Sequence, residues 1–411
     1  MLSTITMPLG VSNALLGMYA LIVFYTFKKE YLSFNFSFFL PILLFFWAAL
    51  SLFWSVDLKE SASISKQIGL FAIPLFFSLQ PNLEKSEIQK ILHYFSACMV
   101  GFALFYLIKA CIRFLITQDI AVFFYHELVT LKVNAIYVSF IFSIAFLKYY
   151  IQPIKTLRTY FSIGILLLLI VLLSSKNILV VLFFLILVYH LFFTSFGKKK
   201  IILTISIVAM SIFILLNIKQ VRDRFVTEFQ SEAIQNQSNE IKNLNENGIQ
   251  VISISEAWTR ENFSPNDFFS GTAFRVYQIR VFKELLLENP IFWQGFGFNA
   301  AQKKIQEKSI EHDIFQGNES QFGYGTLNFH NQFVQYFAEL GFIGFVLLIL
   351  LVLTNLYNAL KSQDFLHFAF AILLISLFLT ECLLHRQRGV VFIVLLFCLF
   401  NQKKVKNSQN L

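Results

Sequence analysis

Charged residues are scarce in this chain of 411 residues and make up only 14% of it. Soluble domains carry about 25% charged residues, so this chain lacks the polar side chains needed to cover a folded surface in water. Its four cysteines show no CxxC spacing and lie in or beside apolar runs, at Cys98, Cys111, Cys382 and Cys398. A thiol in such surroundings behaves as a small apolar group. Neither a disulfide framework nor a zinc site is therefore indicated.

Several motifs of catalysis and ligand binding are also missing. No Asp-x-Asp pair, EF-hand loop, P-loop or GxSxG elbow stands at a usable position, which argues against metal-held nucleotide sugars and serine hydrolysis. The net charge of +9 comes largely from short Lys and Arg clusters between apolar runs, a pattern that suits membrane orientation better than nucleic-acid binding. We therefore predict no metal, no cofactor and no nucleic-acid partner.

Apolar residues are abundant, at 57% of the chain with a mean hydropathy of +0.66. Runs of about 17 to 25 apolar residues are long enough to cross the roughly 30 Å hydrocarbon core of a bilayer as helices. Such runs lie near residues 8–27, 34–54, 64–80, 91–112, 134–150, 159–175, 177–196, 200–217, 332–356, 365–381 and 389–402. The sequence thus predicts an all-α integral membrane protein with about 11 (10 to 12) transmembrane helices.

The distribution of Lys and Arg predicts the orientation and the domain organisation. These residues are roughly twice as frequent in one set of alternate loops as in the other, and the richer set is expected in the cytoplasm. Three regions follow: a membrane bundle of about eight spans over 1–217, a loop region on the outer side over 218–331, and further spans with a cytoplasmic tail over 332–411. The long loop therefore faces outward.

One part of the outer loop has the pattern of an amphipathic helix. From Thr272 onward, apolar residues recur at helical spacing at Val276, Ile279, Phe282 and Leu286. Asn289 and Pro290 then give a stop signal. We predict a helix that lies on the membrane or on the other spans.

The start of the ninth span carries the best candidate for a catalytic base. His330 and Asn331 precede the span, and Gly341 and Gly344 follow within it, where small residues allow another helix to approach closely. Histidine exchanges a proton near neutral pH, and this one is expected at a wet edge of the bundle. The alternative is structural, a histidine at a helix start with Asn331 as the cap. Periodicity does not choose between the two.

Cations predicted on the outer side form a second group of candidates. They are Lys176 between two spans, Arg275 and Arg280 on the amphipathic helix, and Arg386 and Arg388 in the last outer loop. Charges near hydrocarbon are costly, so converging cations suggest an anionic ligand such as a lipid diphosphate. The alternative is ordinary snorkelling to lipid headgroups. The apolar spans also hold carboxylates, of which Glu381 is expected to play a structural role.

The order of these features resembles the O-antigen ligase and polymerase superfamily. The resemblance rests on Gly271-Thr-Ala-Phe-Arg275, then Asn289-Pro290 and Gly295-Phe-Gly297, then His330-Asn331 followed by Gly341 and Gly344. It covers roughly residues 270–345. Softer support comes from Leu52-Phe-Trp54-Ser55 and from Ser174-Ser175-Lys176.

The resemblance implies a metal-independent glycosyltransferase of the bacterial inner membrane that works on the periplasmic face. A single base without a paired nucleophilic carboxylate predicts inversion at the anomeric carbon. The donor would be an undecaprenyl-diphosphate-linked glycan. A ligase passes that glycan to lipid A core, which we expect, and a polymerase passes it to another lipid-linked glycan. A non-enzymatic transporter of lipid-linked sugars is a further alternative, although candidate residues gathered at one face favour chemistry there.

The resemblance also implies roles for individual residues. His330 would be the catalytic base, and the donor diphosphate would be bound by Arg275 and Lys176, with Arg280 and Arg388 as further candidates. Most family members have Arg at the position of Lys176, so this chain keeps the charge and loses the bidentate guanidinium. Supporting structural roles are expected for Asn331, Gly341, Gly344 and Glu381.

Overall fold

The computed structural model describes residues 2–4, 7–130, 133–173, 175–194, 250–319 and 322–402. The described residues before the outer loop form nine α-helices: α1 Leu9–Thr26, α2 Phe36–Leu50, α3 Leu58–Ser61, α4 Gly69–Ser78, α5 Lys85–Thr117, α6 Tyr125–Leu128, α7 Ala135–Tyr150, α8 Leu157–Leu172 and α9 Lys176–Phe192. The elements from residue 250 onward are β1 Gln250–Ile252, α10 Ile254–Thr259, β2 Asp267–Phe269, α11 Gly271–Glu288, α12 Ala301–Glu311, α13 Gln332–Ser362, α14 Phe365–Phe378 and α15 Gln387–Asn401. Numbering covers the described ranges only.

The fold is that of an all-α membrane protein. Four described helices are long and apolar enough to cross a bilayer: Leu9–Thr26, Phe36–Phe53, Lys85–Thr117 and Gln332–Ser362. Five shorter apolar helices accompany them, α7, α8, α9, α14 and α15. The third predicted span is represented by α4, whose ten residues extend only about 15 Å. The eighth predicted span, 200–217, lies outside the described residues, so the count of eleven stays a prediction.

The membrane helices share one apolar core. Its fully buried members come from nearly every long helix, for example Leu44, Phe95, Phe140, Leu374 and Leu396. Long helices of this composition have no polar face to turn to water, and exposed apolar side chains such as Leu21, Ile22 and Leu115 line the outside of the bundle. This surface is the one expected to meet lipid.

Residues 250–338 build a second core beside the bundle. Phe263, Phe269, Tyr277, Phe296 and Ile305 are among its buried members, and the short parallel pair β1 and β2 lies next to it. The predicted boundary at residue 331 stays a prediction, and this core runs past it to Ala338. The first part of the predicted outer loop, 218–249, lies outside the described residues.

Helix α11 has the predicted ends but a different buried face. It ends at Glu288, directly before Asn289 and Pro290, as predicted. The expected apolar face is only partly correct, because Ile279 is 38% exposed while Val276, Phe282 and Leu286 are half-buried. The deeply buried side chains are Ala273, Phe274, Tyr277, Val281 and Leu285. Aromatic packing of Tyr277 with Phe263 and Phe269 turns the helix to this face.

Helix α13 is interrupted at Gly341. Its φ of 66° and ψ of −168° are not helical, and the break frees carbonyl oxygens of the preceding turn. The backbone of the turn over 292–297 supplies donors to them: Phe296 N to the Ala338 oxygen at 2.9 Å and Gly297 N to the Glu339 oxygen at 2.8 Å. The indole of Trp47 donates to the Leu340 oxygen at 2.8 Å.

The glycines at this break serve a closely approaching turn rather than the neighbouring helix that the sequence suggested. A Cβ added to Gly341 would lie less than 3.0 Å from the Trp293 backbone, and one added to Gly295 would lie as close to the Glu339 backbone. Gly344 faces Leu340 of its own helix. Ser55 packs against Gly297, so two separate parts of the sequence resemblance meet here.

Candidate active site

Helix α11 brings Arg275 to the end of α14. The side chain of Ser270 caps the helix by accepting from Ala273 N at 3.3 Å, which fixes Arg275 on the second turn. Its Nη1 donates to the Gly271 oxygen at 3.0 Å and its Nη2 to the Thr380 oxygen at 3.4 Å. The same Nη2 lies 3.8 Å from Glu381 Oε1. Arg275 therefore spans from its own helix to the segment that follows α14.

His330 approaches the same carboxylate from another element. Its backbone adopts a left-handed φ of 47°, and its N–H donates to Asn328 Oδ1 at 3.0 Å. The imidazole Nδ1 lies 3.8 Å from Glu381 Oε2. A non-glycine residue with positive φ is uncommon, and such backbone strain clusters at functional sites. This conformation directs the imidazole away from α13 and toward Glu381.

Asn331 links α13 to α14 and caps α13. Its Oδ1 accepts from Phe333 N at 3.0 Å and Val334 N at 3.1 Å, which is the capping geometry of a helix start. Its Nδ2 donates to the Leu379 oxygen at 3.3 Å. Asn331 thus holds the backbone next to His330 against the end of α14.

The start of α9 meets the same end of α14. Asn177 donates to the Ser376 oxygen at 3.0 Å and to Thr380 Oγ1 at 2.9 Å, and Ser376 Oγ donates back to it. Lys176 is the first residue of this helix and is half-buried. The residues around Ser376 to Glu381 are therefore the meeting point of α9, α11 and the start of α13.

The charges at this meeting point are only loosely paired. The side chain of Glu381 is 8% exposed, compared with 34% for Arg275 and 28% for His330. A buried carboxylate needs positive or hydrogen-bonding neighbours, which Arg275 and His330 provide at long distances. Within the part of the chain that the structure describes, Arg275 Nε has no hydrogen-bond partner. The guanidinium therefore has donors left for an anionic ligand.

Comparison with known proteins indicates the family of the chain. Residues 161–349 match a protein-family model described as O-antigen ligase. This match supports membership of the O-antigen ligase superfamily. No curated protein matches it. Superfamily membership implies glycan transfer of the ligase or polymerase type by a membrane protein, with a lipid-linked glycan and a glycan acceptor as substrates.

The match to the O-antigen ligase model covers only part of the candidate site. Lys176, Arg275 and His330 lie within the matched residues, whereas Glu381 and Arg388 lie beyond residue 349. The carboxylate at the meeting point is therefore contributed by a part of the chain that the family model does not reach. Sequence reasoning gave Glu381 a structural role, and its placement between Arg275 and His330 was not predicted.

Arg388 lines a separate cavity of about 750 Å³. Arg386, His385 and Lys66 line the same cavity. Arg386 lies over the ring of Tyr137, with 5.8 Å between the guanidinium carbon and the ring centroid. Of the predicted cations, Arg388 is thus close to the site in sequence but faces different neighbours from Arg275.

Arg280 belongs to a polar cluster inside the outer loop. Its Nε donates to Glu284 Oε1 at 2.8 Å, and its Nη1 donates to the Arg260 carbonyl oxygen. Glu284 Oε2 lies 3.1 Å from His312 Nε2, and His312 Nδ1 lies 3.0 Å from the Tyr277 hydroxyl. Because these partners occupy its guanidinium, we omit Arg280 from the donor site.

His312 makes the stability of the outer loop depend on pH. Burial holds the pKa of His312 below its ordinary value, so the folded state favours the neutral ring. The stabilisation is complete above the ordinary value of about 6.5 and is lost as pH falls below it. We expect His312→Gln to reduce the loss of thermal stability between about pH 7.5 and 5, measured by fluorescence-monitored unfolding. His93→Gln, at an exposed position, is the control and should leave that loss unchanged.

A buried Glu-His pair behind the candidate site was missed by sequence reasoning. Glu339 is fully buried, accepts from Gln335 Nε2 at 2.6 Å and lies 2.8 Å from His385 Nε2. The His385 ring stacks on Phe298, with centroids 5.5 Å apart and planes 9° from parallel. The sequence feature that could have pointed to this pair is Glu339, a carboxylate within an apolar run. Its partner lies 46 positions away, beyond the reach of any helical spacing.

The described residues contain no group of three His, Cys, Asp or Glu side chains placed to hold a metal ion. The meeting point itself offers Glu381 and His330 as potential metal ligands, beside a positively charged Arg275. A guanidinium is a poor neighbour for a cation and a good one for phosphate oxygens. The arrangement therefore suits an anionic ligand.

Proposed function

We propose that this protein transfers a glycan from an undecaprenyl-diphosphate-linked donor to an acceptor hydroxyl on the periplasmic face of the bacterial inner membrane. The observation that carries the proposal is the approach of Arg275 and His330 to opposite oxygens of Glu381. A cation suited to the leaving diphosphate and a candidate base for the attacking hydroxyl thereby lie at the same carboxylate, which supports the proposal. Lys176, at the start of the helix bonded to Thr380 through Asn177, supplies a second positive charge.

The reaction we propose is a single displacement. The acceptor oxygen forms a bond to the anomeric carbon of the donor, and the bond from that carbon to the diphosphate oxygen breaks. The acceptor proton moves to His330, and the electron pair leaves with the diphosphate. Positive charge develops on the sugar and negative charge on the leaving group, so Arg275 and Lys176 lower the barrier by meeting the latter.

Glu381 has two tasks in this mechanism. Before substrate binds, it compensates the charge of Arg275 and lies beside the imidazole of His330. Once His330 has taken the proton, the carboxylate stabilises the imidazolium, as the third member of a nucleophile-base-acid arrangement does. The long separations of 3.8 Å leave room for phosphate oxygens to displace the carboxylate from Arg275.

Transfer by the purified protein tests the proposal. The assay supplies a defined lipid-diphosphate glycan and candidate acceptors, with and without a chelator. We expect transfer that is insensitive to the chelator and a product linkage inverted at the anomeric carbon, read by NMR. Retention of configuration, or a chelator-sensitive rate, would contradict the single displacement without metal. If the protein transferred no glycan but moved the lipid-linked glycan across the membrane of a vesicle, the transporter alternative would be favoured.

Substitution of His330 tests its role as the base. General bases contribute about 10²- to 10⁴-fold to rates, so His330→Gln should lower kcat by that amount while donor binding changes little. A variant that keeps the native kcat would assign the proton to another group. Asn331→Ala is a useful comparison, because it removes the helix cap and leaves the imidazole.

The acceptor decides between the two reactions of the superfamily. The sequence resemblance favours lipid A core, which makes the protein a ligase, whereas a polymerase uses another lipid-linked glycan. Sugar chains on lipid A, compared between cells with and without the gene, separate the two. Loss of all attached polymer indicates a ligase, and loss of chain length indicates a polymerase.

A further inference from the structure

The cavity beside Arg388 has a cationic end and apolar walls. Lys66, His385, Arg386 and Arg388 form the basic part of its lining. The apolar walls come from Phe102 and Phe105 of α5, Phe140 and Ile141 of α7, and Phe392 and Ile393 of α15, together with the start of α1 at Leu9. No Asp or Glu is among the lining residues in the described ranges. We call this space the cationic cavity.

The chemistry of the lining fits an amphiphile with a phosphate head. His385 is already paired with the buried Glu339, so Lys66, Arg386 and Arg388 supply the positive charge for a ligand. Cations beside hydrocarbon are costly unless they bind anions, and Arg388 Nη1 is buried without a hydrogen-bond partner among the described residues. The cavity lies at the N-terminus of α15, where the helix dipole adds to the attraction for a negative charge. The aromatic and branched walls suit an isoprenoid chain.

The volume of the cavity limits what it can hold. At about 750 Å³, it is within the roughly 300 to 1,000 Å³ typical of pockets for small organic ligands. It has room for a compact phosphate head and the first isoprene units of one chain, and the rest of a polyprenyl chain would extend into the lipid. Lipid A carries several acyl chains on a disaccharide and needs more volume for its head.

The cationic cavity is joined to the candidate active site through the segment after α14. This segment carries Glu381, which neighbours Arg275 and His330, and five residues later Arg386, which lines the cavity. Tyr137 also lines the cavity, lies under Arg386 and donates to the Cys382 oxygen at 3.3 Å. A sugar attached to a head at Arg386 would therefore emerge beside the meeting point.

We propose that the cationic cavity binds the phosphorylated polyprenyl carrier of the acceptor, in addition to the donor carrier at Arg275 and Lys176. The acceptor is then itself a lipid-linked glycan, in contrast to the lipid A core expected from the sequence. The role of the bound lipid as acceptor rests on the proposed function, whereas its binding does not.

Native mass spectrometry of the purified full chain, with undecaprenyl diphosphate as probe, counts the bound lipids. We expect two lipids on the native protein, one on the double variant Arg386→Gln with Arg388→Gln, and one on Arg275→Gln. Each remaining site should keep its affinity within about threefold. Loss of two charge-assisted hydrogen-bond donors should weaken the cavity site at least tenfold.

Three comparison ligands and one control variant sharpen this test. Undecaprenol lacks the phosphate, inorganic diphosphate lacks the chain, and lipid A has several chains; all three should bind the cavity at least tenfold more weakly than the probe. Lys303→Gln removes an exposed charge on α12 and should still bind two lipids. Equal binding of any comparison ligand, or an unchanged lipid count in the double variant, overturns the assignment.

The assignment of the acceptor needs a kinetic measurement. In transfer assays with a lipid-linked acceptor, the double variant should raise the KM for the acceptor at least tenfold and leave the KM for the donor within about twofold. An increase for the donor alone would assign the cavity to the donor carrier and overturn the proposal. Failure of the proposed function looks different. In that case neither the native protein nor any variant would transfer glycan, although the lipid counts would still be as expected.

Discussion

Arg275→Ala should lower the rate of glycan transfer by about 10²- to 10³-fold. Removing one preorganised electrostatic contact to the charge that develops in a transition state typically costs about 2.7 to 4 kcal/mol. Among the described residues of α11, Arg275 alone makes a charge contact with Glu381, so no neighbour on the helix replaces it. The rate is measured with a defined lipid-diphosphate glycan and protein that elutes as a single species.

Two further substitutions show whether the effect belongs to the guanidinium at this position. Arg275→Lys keeps the charge but not the fork of donors, so we expect an intermediate rate. Arg280→Ala changes the same residue type five positions later, where Glu284 and the Arg260 carbonyl oxygen are the partners. It should lower thermal stability and leave the rate per folded molecule near the native value. Equal losses of rate in Arg275→Ala and Arg280→Ala would mean that the whole helix, and not the site, is responsible.

Local signals in the sequence predicted the ends of α11 and the start of α13. Pro290 cannot continue a helix, and an Asn that precedes an apolar run is a common cap, so Glu288 and Gln332 were natural limits. The grouping of Arg275 with His330 came from orientation, because both were assigned to one end of the bundle. The structure brings them to one carboxylate, which agrees with that grouping and leaves their roles to be tested.

Contacts between distant segments were beyond the sequence. The face of α11 depends on aromatic residues around Tyr277 that belong to other elements, so spacing alone selected Ile279 wrongly. The pairing of Glu339 with His385 and the cationic cavity between helices have no local signature at all. Arg280 and Arg388 could be assigned to a side of the membrane, but only packing shows that they meet other partners than Arg275.

The sequence predicted a structural role for Gly341, and the structure shows a different one. The sequence suggested a small residue for helix packing, and the observed role is a backbone break that receives the turn over 292–297. Phe342 N donates to the Phe292 oxygen at 2.7 Å on one side of the break, and Phe296 N donates to the Ala338 oxygen at 2.9 Å on the other. The turn is thus bonded to both halves of α13, which couples the outer loop to the membrane bundle.

Gly341→Ala should destabilise the protein by roughly 3 to 5 kcal/mol, since a φ of 66° strains any residue with a Cβ and the turn must also move. The added Cβ would lie less than 3.0 Å from the Trp293 and Gln294 backbone, which has no flexible atoms to give way. Retreat of the turn would break the bonds from Phe296 and Phe342. We expect the thermal midpoint in detergent to fall by on the order of 10 °C.

Gly101→Ala is the matched control for this substitution. Gly101 lies in α5, and no heavy atom lies within 4 Å of a Cβ added there. Alanine in a helix interior is favoured over glycine by about 1 kcal/mol, so this variant should be as stable as the native protein or slightly more so. If Gly341→Ala unfolded within about 2 °C of Gly101→Ala, the turn would have to be mobile enough to accept a side chain. The coupling between the outer loop and the bundle through this break would then be wrong.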